Sequence, residues 1–150
     1  MTVYDKRLQS IIDRTLRLVR EARPTFNESF TESSAAMQFC ELRMAGKERE
    51  EFMVMYLNSQ HELIEDRIEF VGTINSTAVY PREIAKHCLK VNAAAVILCH
   101  KHPSGSLEPS QADIRLTEEI KQGLRLLDVS LLDHIIVGDG ATSLAQRGAI

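Results

Sequence analysis

No stretch of this sequence reaches the roughly 18 consecutive apolar residues that a membrane-spanning helix requires. The opening residues, MTVYDKRLQSIIDR, set charges inside the first apolar stretch and lack the uninterrupted apolar region of a secretion signal. The expectation is a cytoplasmic protein with no membrane partner. Cysteine is scarce: Cys40, Cys88 and Cys99 are scattered, odd in number and without CxxC spacing. That argues against a disulfide framework or a thiolate metal site, and suits buried positions in a reducing compartment. An excess of positive charge is also missing. The net charge is −3 with acids and bases mixed, so no basic stripe marks a phosphate backbone as the main partner. Internal repeats and low-complexity tracts are absent as well.

What is present is ordinary for a globular protein. A chain of 150 residues, 44% hydrophobic and 26% charged, fits one domain with a real core. Residues 6–22 repeat Leu8, Ile11, Ile12, Leu16 and Val19 at helical spacing, with Lys6, Arg7, Arg14, Arg17 and Arg20 mostly on the other side. Pro24 ends that amphipathic helix. The polar stretch from Pro24 to Ser34 is the one linker candidate. It divides an N-terminal helix and linker, residues 1–32, from a domain of residues 33–150.

The domain opens with a helix predicted from about Ser33 to Met44, closed by Gly46. Phe52–Leu57 reads as a buried strand and Leu63–Ile74 as its partner across a turn near Asn58–His61. Pro81 sits at the favoured first position of a helix running to about Val91. Ala93–Cys99 reads as a central strand, residues 100–109 as a loop, Ser110–Leu127 as an amphipathic helix and Val129–Val137 as a last strand. The order ββαβαβ predicts an α/β domain in which a mixed β-sheet is layered with helices, with the N-terminal helix added to it.

The chemistry concentrates in H100-K-H-P-S-G-S-L-E-P-S110-Q-A-D113. Histidines at i and i+2 of an extended chain project to the same side, so both imidazoles can reach one ion. Asp113 follows eleven residues after His102, three positions into the next helix. Two histidines and an aspartate supply three ligands and leave a fourth tetrahedral position open, as in catalytic rather than structural zinc sites. A plainer account covers part of this: Ser110 and Asp113 make an S-x-x-D capping box, and Pro103 and Gly105 are common loop residues. It does not explain why two strand-end histidines, a tight loop and a helix-start aspartate occur together.

His-x-His, seven residues, Ser, two residues and Asp is the pattern of the JAMM (JAB/MPN) metalloproteases, found here as His100, His102, Ser110 and Asp113. HxHPSG, Gly72-Thr73, Asn75, Pro81-Arg82-Glu83 and LLDHIIVG (Leu131–Gly138) further resemble the RadC branch of that superfamily, over about residues 47–150. The resemblance implies the cytidine-deaminase-like JAB/MPN fold, and metal ligation of Zn2+ by His100, His102 and Asp113. It also implies a glutamate near the start of the first strand. Glu48, Glu50 and Glu51 compete for that role; alternation puts Glu50 on the face of Phe52 and Val54, and Glu51 on the other. Parity alone does not choose, and the E-x-F form usual in RadC selects Glu50. The plain alternative is that GKEREE is a solvated charged turn. RadC proteins usually read HNHPSG; here the middle residue is Lys101, a cation that bears on which substrates approach rather than on ligation.

The resemblance further implies peptide or isopeptide hydrolysis, with a peptide or protein conjugate as partner. Zinc makes hydroxide available at neutral pH and polarises the carbonyl. Glu50 would act as general base and Ser110 as donor to the oxyanion. Full-length RadC proteins carry a helix-hairpin-helix region ahead of this domain. One or two helices fit here, so the expected kinship is with short RadC-like proteins of mobile elements. A DNA-maintenance protein that binds nucleic acid without peptidase activity is the alternative, disfavoured by the charge and the missing hairpin region. A silent scaffold is disfavoured by the complete motif, and a nucleobase deaminase by the lack of P-C-x-x-C. Among other residues, Asp133 and His134 are expected to tie strand to loop through hydrogen bonds or to orient a ligand. His61 and His87 are expected at the surface, and Cys99 in the core.

Overall fold

The computed structural model describes residues 3–21, 30, 33–72 and 79–150. Pro24, Thr73, Ile74 and Asn75 lie outside them, as does most of the expected linker. Among the described residues, four helices, α1 (Val3–Glu21), α2 (Ser33–Met44), α3 (Pro81–Val91) and α4 (Gln111–Arg125), accompany five strands: β1 (Glu50–Leu57), β2 (Leu63–Gly72), β3 (Ala95–Lys101), β4 (Ser130–Val137) and β5 (Ala141–Ser143). The sheet runs β2-β1-β3-β4-β5, with only β3 and β4 parallel.

Strands buried on both faces read as continuous apolar runs, and β1 is buried from Glu51 to Leu57. Its odd residues Met53, Met55 and Leu57 join Ala95, Ile97 and Cys99 of β3 under α2, whose Ala36, Cys40 and Met44 recur every fourth residue. Its even residues Phe52, Val54 and Tyr56 join Val96 and Leu98 under α3 and α4. The result is a three-layer α/β domain with a mixed sheet, as the element order predicted. On α1, Ile12 and Leu16 are buried and the helix packs against α2, whereas Ile11 and Leu18 stay exposed.

Helix ends follow local chemistry. Pro81 opens α3 and Asn92, with φ 55°, closes it in the left-handed conformation. Several limits differ from the sequence reading by one or two residues, β1 starting at Glu50, β3 at Ala95 and α4 ending at Arg125. β3 extends through His100 and Lys101, because its antiparallel pairing continues to Phe52–His100 and its parallel pairing to Lys101–Val137. A short β5, hidden by having only three residues, pairs back on β4. No helix among the described residues is long and apolar enough to cross a membrane.

Candidate metal centre

The site forms where β3 leaves the sheet and α4 begins. The register Phe52–His100 brings the start of β1 beside the end of β3, so Glu50, two residues before Phe52, lies alongside the histidines. Glu50 Oε1 is 2.6 Å from His100 Nε2. Glu51 faces the opposite side, with Lys47 Nζ 3.7 Å away, while Glu48 lines the cleft wall.

Beyond β3 the chain stays tied to its neighbours. His102 N–H donates to Val137 O at 2.8 Å, and Asp139 N–H donates to Gly105 O at 2.9 Å. The loop can lie this close because Gly138 has no side chain: a Cβ there would collide with the backbone of Gly105. Gly105 itself adopts φ 85°, a conformation that suits glycine. His102 Nδ1 donates to Ser106 O at 3.2 Å, which leaves Nε2 to act as a ligand.

Asp113 enters from the other side as the third residue of α4. The capping box is complete: Ser110 Oγ accepts from Asp113 N–H at 3.0 Å, and Ser110 N–H donates to Asp113 Oδ2 at 2.8 Å. The cap and the metal-ligand reading are therefore not rivals. The same carboxylate lies 3.2 Å from His102 Nε2 through Oδ2 and 3.1 Å from His100 Nδ1 through Oδ1. Burial alone would raise the Asp113 carboxyl, but the closeness of His100, together with hydrogen bonding to His102 and Ser110, outweighs it and holds the group well below the usual carboxylate range. The Asp113 hydrogen bond in turn raises His102.

These atoms fit a cation. One ligand atom from each of His100, His102 and Asp113 can be chosen so that all three lie within 4.8 Å of one another, the one such metal-capable group among the described residues. His100 Nδ1 is buried and makes no hydrogen bond among the described residues despite its closeness to Asp113. Two ligands at about 2.0–2.1 Å from a tetrahedral zinc stand about 3.3 Å apart, and each imidazole approaches one or other Asp113 oxygen at 3.1–3.2 Å. No Lys or Arg among the described residues forms an ion pair with Glu50 or Asp113. The group opens into a cleft of about 920 Å3 that Glu50, His102, Ser110 and Asp113 border. Ser110 Oγ accepts one hydrogen bond, and no acceptor among the described residues takes its proton.

Behind the site, Asp133 accepts from His134 N–H (2.7 Å), Ser143 Oγ–H (2.5 Å) and Ala145 N–H (3.1 Å), tying β4 to β5 and the turn after it. His134 turns to the other face, fully buried, against Thr117, a residue the sequence reading passed over. Its one sequence signal is its place four residues after Asp113, where a threonine hydroxyl can reach back to that carbonyl. Burial, reinforced by the nearby His100, pushes His134 down to about 3. Cys99 is fully buried, as its alternation implied. His87, expected at the surface, is instead buried on α3 beside Ile84 and Cys88.

A layered α/β domain with a His, His, Asp corner at a strand–loop–helix junction defines a class of protein that can hold a metal ion. The chain matches the RadC-like JAB domain over residues 30–149 and belongs to that family. The match reaches back through α2, beyond the span over which the motifs are legible. Similar proteins include the UPF0758 protein PSHAa2643 of Pseudoalteromonas translucida (strain TAC 125), 49% identical over 95% of this chain and 64% of that protein. Two from Escherichia coli (strain K12) are YfjY, 49% identical over 97% and 87%, and YkfG, 48% identical over 100% and 94%. The chain thus spans about two-thirds of the first and most of the other two. Their names state no activity.

Proposed function

We propose that this protein is a zinc-dependent hydrolase of peptide or isopeptide bonds, with residues 33–150 as its catalytic unit. The observation that carries the reading is the meeting of Glu50, His100, His102 and Asp113 at the head of one cleft, with no Lys or Arg among the described residues paired to either carboxylate. His100, His102 and Asp113 would hold the zinc. When bound, the metal would lower the pKa of water towards neutrality and polarise a carbonyl.

The chain's own residues do the rest. Glu50, whose side chain is 28% exposed, would accept a proton from the attacking water and deliver it to the departing amine. Atoms balance as one water consumed, one carboxylate and one amine released. Ser110 would direct its free O–H to the oxyanion that forms on the scissile carbon. Ser106 O keeps the His102 ring oriented, and the capping box keeps Asp113 at the metal. A peptide or protein conjugate is the substrate class, and duplex DNA is disfavoured by the net charge of −3. Three free, buried cysteines suit a reducing cytoplasm.

The test is Glu50→Gln. It should keep about one zinc per chain and lose cleavage of a peptide library by about 100-fold or more, the size expected for a general base. Loss of zinc would make Glu50 a ligand, and wild-type cleavage by the variant would remove it from the chemistry.

A further inference from the structure

Thr117 and His134 are both fully buried and take no part in the chemistry above. Thr117 Oγ1 lies 2.6 Å from the Asp113 carbonyl oxygen and 2.6 Å from His134 Nδ1. A carbonyl only accepts, so the single hydroxyl proton goes to Asp113 O. His134 Nδ1 must then carry a hydrogen and donate it to Thr117. The chain of donors runs from β4 through Thr117 to the backbone of the residue bearing the carboxylate ligand. It also leaves the buried His134 Nε2 as a lone pair without a partner among the described residues.

A threonine bonding back one turn and a satisfied core histidine would be an ordinary structural pair. The surroundings say more. The His134 ring lies within 27° of parallel to that of His100, with centroids 6.1 Å apart, and Phe52 packs near both, at 5.6 and 5.7 Å. β4 runs parallel to β3, which carries His100. His134 reaches the α4 face because the β3–β4 register shifts between Val96 and Ile97. One residue thus neighbours the ligand-bearing strand and, through Thr117 in the second turn of α4, is linked to the backbone of Asp113 in the first.

Building on the metal-centre reading, we propose that His134 and Thr117 form a positioning relay that sets Asp113 against His100 and His102. They are positioning residues, because neither would touch metal or substrate.

The relay is tested by zinc affinity, measured by competition with a chelating indicator on the full chain. Outer partners of metal ligands typically change affinity 10–100-fold, so Thr117→Val should weaken binding at least 10-fold. Thr117→Ser, which keeps the hydroxyl, should stay within about 3-fold of wild type. The double variant Thr117→Val/His134→Phe leaves no buried donor unpaired and carries the test should Thr117→Val not fold. A purely structural pair predicts that the double variant binds zinc as wild type does; the relay predicts that its weak binding persists. Wild-type affinity in both Val-bearing variants, with zinc lost in Asp113→Ala, would overturn the relay and leave the metal centre standing. Wild-type affinity in Asp113→Ala would overturn the metal centre, and the relay with it.

Discussion

The α3–α4 face of the sheet carries two clusters of imidazole and carboxylate, one at each end of β1. At the Tyr56 end, Arg67 Nη1 donates to His87 Nδ1 at 2.7 Å, which leaves His87 Nε2–H to donate to Glu65 at 3.0 Å. Tyr56 O–H donates to Glu69 at 2.6 Å, with Arg67 Nε 3.6 Å from the same oxygen. At the Glu50 end, two carboxylates meet two imidazoles, no Lys or Arg among the described residues forms an ion pair with them, and the group faces open space. The residue types are alike. In one cluster the sequence supplies its own cation and the network closes; in the other no Lys or Arg among the described residues pairs with the carboxylates, and the group could take a cation from outside. Buried charge needs compensation in either case. What separates a structural network from a candidate site is where that compensation comes from.

Removing the built-in cation should break the first cluster without affecting the second. Arg67→Met leaves the His87 acceptor buried and unpaired, and should lower stability by about 1–2 kcal/mol in urea unfolding, with zinc content unchanged. The half-exposed ion pair to Glu69 adds little to that figure. An unchanged midpoint would mean that Arg67 does not hold the cluster.

A smaller effect sharpens the comparison through pH. Burial, with Glu69 nearby, pushes the Cys88 thiol up to about 11. The unfolded chain releases that proton near pH 9, so native protein binds more protons between the two values. The contribution is fully present below about pH 9 and declines as pH rises to about 11, by up to about 1.4 kcal/mol per pH unit. Cys88→Ala should start less stable but lose less over that interval. Parallel losses in the two proteins would contradict the buried-thiol account.

Much of this was legible along the chain, and the gaps have physical causes. The limits of α2 and α3 follow from local signals, Gly46 just past the end of the first and Pro81 at the start of the second. Even the competing cap reading of Ser110 and Asp113 was sound, because one carboxylate oxygen serves both cap and histidine. Glu50 came from a motif rather than from parity, since its nearness to His100 depends on a pairing across 50 residues. His87 was misread as surface because its Arg67 and Glu65 partners sit on a strand that periodicity cannot dock against α3. Thr117 escaped notice for the same reason: His134 reaches it only after the register shift in β3–β4.

The central claim, that the open cluster and not the closed one takes the metal, is tested most directly by zinc content in three proteins. Wild type, His102→Ala and His87→Ala would be purified alike, dialysed against zinc and measured by elemental analysis. The account predicts about one zinc per chain in wild type and in His87→Ala, and almost none in His102→Ala. Equal zinc in all three, or loss only in His87→Ala, would contradict it.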